Sequence, residues 1–224
     1  MLHGLLGSSL QFVNQIPEFA QHYQVIAVDS RGQGRSTYGT GPITFELMVD
    51  DVLGVMDHLG IDNANVVGWS NGGTIALLLA MEHPERLRTV VAYGALYTAA
   101  GNWMDPEAEE MVMGMGERTT QEYLAISPHP ERLDEIVTEL FALNPEWTEE
   151  QVGAITVPVL ILDGEHDEVV TADQPTTLAA RIPGAPLVLM PDTGHFAVYE
   201  QPAEFNRIVL EFLASPVEEA TPTL

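Results

Sequence analysis

The sequence predicts an α/β fold in which helices flank a mostly parallel β-sheet and a helical lid is inserted into the chain. Short runs rich in β-branched residues alternate with amphipathic helical patterns, which is typical of βα units around a parallel sheet. The alternation stops at residues 97–151, where only helical patterns occur. We therefore divide the chain into core residues 1–96, a lid at 97–151, core residues 152–214 and a disordered tail at 215–224.

Each core element has its own signal in the sequence. Five short apolar runs predict strands, at residues 25–28, 65–68, 89–93, 157–162 and 187–190. Elsewhere in the core, apolar residues that recur every three or four positions predict helices, at residues 44–60, 72–83, 176–182 and 202–213. Thr44 and Gly60 suit the two ends of the first helix, and Pro84 is suited to stop the second.

The composition is that of a soluble, globular protein. Hydrophobic residues make up 46% and charged residues 18% of the 224 residues, so one domain can bury a core of ordinary size. The sequence contains no apolar run long enough to span a bilayer and no signal-like stretch after a basic segment, so we expect a cytoplasmic protein. The lack of cysteine excludes disulfides, thiolate nucleophiles and cysteine-based metal sites.

The charge balance limits the classes of partner. There are 33 acidic residues and 8 basic ones, all of them Arg, which gives a formal net charge of −25. Such a surface repels phosphate backbones and anionic membranes, so neither nucleic acid nor membrane is expected as a partner. A strongly solvated acidic surface explains the balance best, and an acidic funnel for a cationic ligand is the alternative.

The segment Val66–Gly73 carries the strongest chemical signal. It reads Val-Val-Gly-Trp-Ser-Asn-Gly-Gly, so a predicted strand passes through Gly-x-Ser-x-Gly directly into a predicted helix. The small neighbours allow Ser70 to lie on a sharp turn that lifts its hydroxyl above the sheet, in front of the positive end of the helix dipole. We therefore expect Ser70 to be a nucleophile.

A serine nucleophile needs a base that is itself held in place. Two later strands end in loops that contain Asp167 and His195, and parallel strands bring these loops to the same edge of the sheet as Ser70. The order Ser, Asp, His predicts that His195 is the general base and that Asp167 holds its Nδ1 proton.

Asp163 and Asp192 are the alternatives for the acid. Asp163 is better interpreted as a turn residue before Gly164, and Asp192 is too near His195 in sequence to be favoured. His166 is expected to be an exposed neighbour of the acid. No ligand spacing supports a metal site at His166, Asp167 and His195, so we expect no metal.

The oxyanion of an acyl-transfer intermediate needs two backbone N–H donors. Asn71, directly after the nucleophile, is expected to supply one, and Leu5 in the loop His3–Gly7 is expected to supply the other. Gly4 allows close approach of that loop, and His3 is expected to brace it. Apolar residues of the turn and the lid are candidates for a substrate pocket, although they could equally pack the lid against the core: Trp69, Trp103, Met104, Met111 and Met115.

Taken together, these segments resemble the α/β-hydrolase superfamily, specifically its lid-bearing, esterase-like members. Besides the serine turn, residues 29–36 resemble the loop after that family's fourth strand, residues 83–86 its helix exit, and Gly194-His195-Phe196 its histidine turn. The resemblance implies an ester, lactone or related acyl substrate, an acyl-enzyme mechanism and no cofactor.

One departure from the family concerns the sheet. The family has two further strands before the oxyanion loop, whereas here the loop follows Met1-Leu2 directly. The α/β-hydrolase fold is therefore predicted without its first two N-terminal strands. A sheet edge left open in this way invites pairing, so we expect a possible homodimer in which a second copy of the chain covers this edge or the lid.

The sequence thus predicts a serine hydrolase that cleaves a carboxylic ester or lactone of a small to medium acyl group. A carbon–carbon bond hydrolase and a perhydrolase are alternatives because both use the same triad. A ligand receptor with little turnover is an alternative of another class.

Overall fold

A parallel sheet lies at the centre of the molecule. The computed structural model describes residues 1–101 and 109–215, and side chains are described in these ranges except at 101–113. Within them four strands follow one another in order across the sheet, all parallel. They are β1 (Ala64–Trp69), β2 (Leu87–Tyr93), β3 (Val159–Gly164) and β4 (Leu187–Met190).

Helices cover both faces of the sheet, which confirms the predicted fold class. They are α1 (Ile16–Phe19), α2 (Phe45–His58), α3 (Asn71–Glu82), α4 (Glu109–Ile126), α5 (Leu133–Phe141), α6 (Glu149–Gly153), α7 (Asp173–Arg181), α8 (Ala197–Glu200) and α9 (Pro202–Ala214). Short 3₁₀ helices occur at Ser9–Phe12, Pro84–Arg86, Ala99–Gly101 and Pro130–Arg132.

The two faces of the sheet pack two separate cores. Successive strand residues point to opposite faces, so Val90 and Ala92 of β2 join one core while Val91 and Tyr93 join the other. Helices α2, α3 and α7 cover the first core, and α1, α8 and α9 cover the second. Each large apolar side chain buried in this way contributes about 1.5–3 kcal/mol to folding.

Most element boundaries lie close to the predicted ones, and the shifts have local causes. Helix α2 begins after Thr44, whose Oγ1 accepts a hydrogen bond from Leu47 N at 3.2 Å. Helix α7 begins at Asp173, three residues earlier than predicted, because Pro175 lies in its first turn, where proline is tolerated. Strand β3 begins after Pro158, which has no N–H for a ladder.

The prediction of a buried strand at residues 25–28 is wrong. The segment is half-buried and joins the sheet only through a bridge between Val28 and Leu2. Leu2 also pairs with β1, since its N–H donates to Val67 O at 2.9 Å and its carbonyl accepts from Trp69 N at 3.1 Å. Among the described residues this bridge is isolated, and residues 25–28 do not form a strand.

The sequence suggested that Met1 and Leu2 lie at the open edge of the sheet, but in the structure they lie inside it. They are flanked by residues 25–28 on one side and by β1 on the other. The predicted homodimer stays a prediction.

The predicted lid corresponds to the helical insertion between β2 and β3, of which the structure describes α4, α5 and α6. Its two ends are tied together by an antiparallel bridge between Thr98 and Glu146 and by Trp147 N donating to Tyr97 O at 3.0 Å. The side-chain Oε1 of buried Gln174 accepts from Tyr97 N and Thr98 N at 3.2 and 3.4 Å. These contacts fasten the insertion to the core at its base.

Candidate active site

Ser70 lies on a strained turn between β1 and α3. Its φ of 56° and ψ of −123° place it in the left-handed half of backbone space, which is uncommon for a residue other than glycine. Ser70 N donates to Tyr93 O at 2.8 Å, and Thr74 N donates to Ser70 O at 3.0 Å. The neighbouring strand and the first helical turn together hold a conformation that costs about 1–3 kcal/mol.

The two glycines of Gly-x-Ser-x-Gly are required by close approach of backbone to backbone. A Cβ on Gly68 would lie 2.1 Å from Gly72 O, and a Cβ on Gly72 would lie 2.1 Å from Leu2 O. Neither obstacle is a flexible side chain, so neither can move aside cheaply. The spacing predicted from the sequence is therefore a steric requirement of this turn.

His195 and Asp167 form a buried pair. His195 Nδ1 lies 2.7 Å from Asp167 Oδ2, and both side chains are only 4% exposed. Asp167 Oδ1 accepts from the N–H groups of Val169 and Val170, each at 2.7 Å. Within the described residues His195 makes no other side-chain hydrogen bond, so Nε2 is left for Ser70 or a substrate.

The electrostatics of the pair favour an ion pair. Burial alone would raise the pKa of Asp167, but the His195 imidazole and the donated hydrogen bonds outweigh it and lower the pKa to about 2. Burial alone would lower the pKa of His195, but Asp167 first, and then Glu168 and Glu200, raise it above its ordinary value. Asp167 thus stays ionised and makes His195 a stronger base.

The structure shows which of the three candidate carboxyls contacts His195, and it is Asp167. The prediction that Asp163 is a turn residue is wrong, because it lies in β3, where it is buried and its Oδ1 accepts from Gly164 N at 2.9 Å. Burial and the nearby Asp167 raise the pKa of Asp163 well above its ordinary value. Asp192 is exposed, at a turn with φ 51°. Neither makes a hydrogen bond to His195 within the described residues.

The predicted oxyanion loop is fixed by buried polar side chains. His3 Nε2 accepts from Ser30 N at 2.9 Å, so Nδ1 carries the proton and donates to Gly4 O at 2.7 Å. Burial lowers the pKa of His3, which keeps the ring neutral. Gly4 N donates to Oε1 of Gln11 at 3.1 Å, a brace that the sequence analysis missed. His3 therefore braces this loop, as predicted.

The two predicted oxyanion donors lie in this framework. Leu5 follows Gly4 in the braced loop, and Asn71 is the first residue of α3. Both residues are partly exposed, and within the described residues neither N–H donates to a protein acceptor. A Cβ built on Gly4 would lie 3.4 Å from Ser70 Cβ, so the loop and the serine turn are in contact.

Trp69 lies under the histidine loop and not in the predicted pocket. Its side chain points to the same face of β1 as Val67, away from α3, and it is 2% exposed. The indole Nε1 donates to His195 O at 2.8 Å, and the ring packs against Phe196 and Tyr199. The alternation of side chains along a strand explains the correction, because Trp69 immediately precedes Ser70.

The remaining pocket candidates belong to the insertion. Trp103 and Met104 lie outside the described residues, as does the side chain of Met111. Met115 is half-buried on α4. A pocket formed by these residues therefore stays a prediction.

Neither a metal nor a membrane feature is found in the described part of the chain. Within residues 1–101 and 109–215, no three His, Asp or Glu side chains are grouped so that they could hold a metal ion. In the same ranges no helix combines the length and apolar character that crossing a bilayer requires.

Comparison with known proteins agrees with this geometry. Residues 1–130 match the family described as the alpha/beta hydrolase fold. A protein of Caulobacter sp. (strain K31), named as a proposed carbamate hydrolase, RutD, is 30% identical over 94% of this chain and 88% of its own length. The 3-oxoadipate enol-lactonase 2 of Acinetobacter baylyi is 28% identical over 91% of this chain and 84% of its own length.

A solved structure extends the comparison to the fold. A meta-cleavage product hydrolase, CumD, solved in a mutant form, is 25% identical and aligns with a TM-score of 0.77 over 95% of this chain and 90% of that chain. The chain belongs to the alpha/beta hydrolase fold family. Family and relatives together identify it as a hydrolase on this fold.

Proposed function

We propose that the protein is a serine hydrolase that cleaves a carboxylic ester or lactone of a small to medium acyl group through an acyl-enzyme. The observation that carries the proposal is the strained Ser70, φ 56°, at the same sheet edge as the 2.7 Å pair of His195 and Asp167. A non-glycine residue is held in such a conformation where the surrounding structure needs it, typically at a reacting centre.

The first half-reaction uses three parts of the site. Ser70 Oγ attacks the carbonyl carbon of the substrate while His195 Nε2 accepts the hydroxyl proton. The N–H groups of Leu5 and Asn71 donate to the tetrahedral oxyanion. The intermediate collapses to an acyl-serine as His195 returns the proton to the departing alkoxide.

The second half-reaction runs the same steps with water. His195 Nε2 accepts a proton from water, whose oxygen attacks the acyl carbon. The second tetrahedral intermediate then releases the carboxylic acid, and Ser70 regains its proton. Asp167 keeps the imidazole in the required tautomer in both halves.

The substrate class rests on the insertion and the relatives. We take the helices of residues 97–151 to cover the site as a lid, which limits the substrate to a small molecule. Relatives named for a lactone and for a carbamate both act on acyl derivatives of the kind that this mechanism opens. A charge of −25 disfavours a polyanionic substrate.

A carbon–carbon bond hydrolase is the second candidate. The similarity to the meta-cleavage product hydrolase favours it, since a single site geometry can serve related chemistries.

A substrate comparison distinguishes the two candidate functions. Purified protein is offered p-nitrophenyl esters and lactones of increasing acyl length, and separately a meta-cleavage product. Ester or lactone turnover at least about tenfold above that of the meta-cleavage product supports the proposal, and the reverse order replaces it with the second candidate.

The direct kinetic test is Ser70→Ala. Loss of the nucleophile is expected to lower kcat by at least about 10⁴-fold while the circular dichroism spectrum stays unchanged. Ser215→Ala, at the exposed end of α9, is the matched control and should keep full activity. A folded Ser70→Ala protein with wild-type turnover would refute the serine mechanism.

A further inference from the structure

Two carboxylates outside the proposed triad hold the backbone of the histidine loop. Three successive N–H groups point at them: Gly194 N donates to Glu200 Oε2 at 2.8 Å, and Phe196 N donates to Glu200 Oε1 at 3.0 Å. Between these two, His195 N donates to Glu168 Oε2 at 2.9 Å. The histidine that the mechanism needs is thus suspended between Glu168 and Glu200.

The carbonyl groups of the same loop are held as well. The hydroxyl of Tyr93 donates to Gly194 O, and Trp69 Nε1 donates to His195 O. The loop is therefore fixed by side chains from β1, β2 and the Asp167 loop.

Glu168 is the less ordinary of the two carboxyls. It is 4% exposed, and within the described residues its Oε1 has no hydrogen-bond partner. A Cβ on Gly194 would lie 2.2 Å from Glu168 Oε2, so glycine at 194 is what allows the carboxylate to approach. Burying a carboxylate that is only partly satisfied is costly, and a neutral acceptor would hold the same N–H at a lower cost.

The negative charge of Glu168 favours the protonated form of the His195 imidazole. The imidazole becomes an imidazolium whenever it takes the proton of Ser70 or of water, and nearby negative charge stabilises that form. Together with Asp167 and Glu200, Glu168 raises the pKa of His195, while burial raises the pKa of Glu168 itself. Glu168 thus affects both the position of the His195 imidazole and its affinity for a proton.

We propose that Glu168 is a positioning residue for His195, which fixes the imidazole through the backbone N–H and stabilises its protonated form. This inference rests on the proposed serine mechanism and adds to it a carboxyl that binds the backbone N–H of His195. Asp167 orients the imidazole through Nδ1, and Glu168 fixes the backbone position from which the imidazole extends.

Three variants separate these two effects. Glu168→Gln keeps an acceptor for His195 N and removes the charge, whereas Glu168→Ala removes both. Glu165→Gln is the matched control, because Glu165 is exposed in the same loop and undergoes the same change of charge. Each variant is assayed for kcat and KM across pH with a p-nitrophenyl ester.

For Glu168→Gln we expect the acid limb of kcat/KM to move to lower pH, because His195 loses a neighbouring negative charge. The move should exceed that of Glu165→Gln, and KM should change less than about twofold. For Glu168→Ala we expect kcat to fall by about ten- to a hundredfold, as a shift of about 1 Å in a reacting group does. An acid limb and a kcat in Glu168→Gln that match those of Glu165→Gln would overturn the proposal.

A second readout does not depend on turnover. The Cε1–H resonance of His195, assigned by its loss in His195→Gln, is titrated by NMR in the Ser70→Ala background. Removal of the Glu168 charge should lower the midpoint of this titration, and an unchanged midpoint would overturn the inference. If Ser70→Ala still hydrolyses esters, the proposed function fails, and the titration still decides whether Glu168 acts on His195.

Discussion

The serine turn and the histidine loop meet at one sheet edge but are positioned by different forces. At the turn, backbone segments pack so closely that there is no room for a Cβ on Gly68 or Gly72. Ser70 is held in a left-handed conformation between these two glycines. At the loop, the carboxylates of Glu168 and Glu200 accept hydrogen bonds from the backbone N–H groups and hold the loop in place.

This difference predicts how each region fails. The turn should be sensitive to added volume and indifferent to charge, because it contains no ionisable group in its tightest contacts. The loop should be sensitive to charge, because carboxylates set both its geometry and the proton affinity of His195. Substitutions that change one property at a time therefore test the comparison.

The largest effect is expected at the acid. Asp167→Asn should lower kcat by about 10⁴-fold, because the amide favours the wrong tautomer of His195. Asp163→Asn should cost far less, since within the described residues Asp163 makes no hydrogen bond to His195, and exposed Asp192→Asn should cost almost nothing. The kcat values of the three variants check this order, and a greater loss at Asp163 or Asp192 would move the acid's role there.

The next effect is steric. Gly72→Ala places a methyl group 2.1 Å from Leu2 O, so it should destabilise the fold by about 3 kcal/mol or more and abolish most activity. Gly54→Ala in α2 is the matched control, since a Cβ there meets nothing within 4 Å. A helical Gly→Ala change of that kind should stabilise by about 0.5–1 kcal/mol. Urea unfolding of both variants measures the contrast, and equal midpoints would contradict the steric account of the turn.

The smallest effect is graded and concerns pH. His195 must be neutral to accept the proton of Ser70, and its pKa is raised above the ordinary 6.5. Activity should therefore fall about tenfold per pH unit below a midpoint that lies above pH 6.5. A pH profile of kcat/KM with a midpoint below 6.5 would show that the carboxylates do not raise the pKa of this imidazole.

The same contrast explains what the sequence could predict. Steric demands at the turn select glycine at fixed spacing, so Ser70 and the strand-to-helix crossing could be identified from one short segment. Asp167 and His195 followed from the ends of predicted strands. The parallel sheet and its helices also followed from local patterns, because the periods of apolar residues are set within each element.

What could not be predicted depends on contacts distant in sequence. Glu168 looks like an ordinary surface acid in a chain with 33 acidic residues, and only the fold buries it beside His195, 27 residues away in sequence. A Glu directly after the candidate acid was the available signal, but burial cannot be inferred from one residue. Residues 25–28 have the composition of a strand, but in the described chain their bridge pairing is limited to Val28 and Leu2.

Covalent labelling of Ser70 tests the central claim most directly. A fluorophosphonate probe reacts with a serine that is activated by a neighbouring base, and the adduct is located by peptide mass spectrometry. We predict one adduct per chain, on the peptide that contains Ser70, absent in Ser70→Ala and strongly slowed in His195→Gln. An adduct on another residue, or none on folded wild-type protein, would contradict the account.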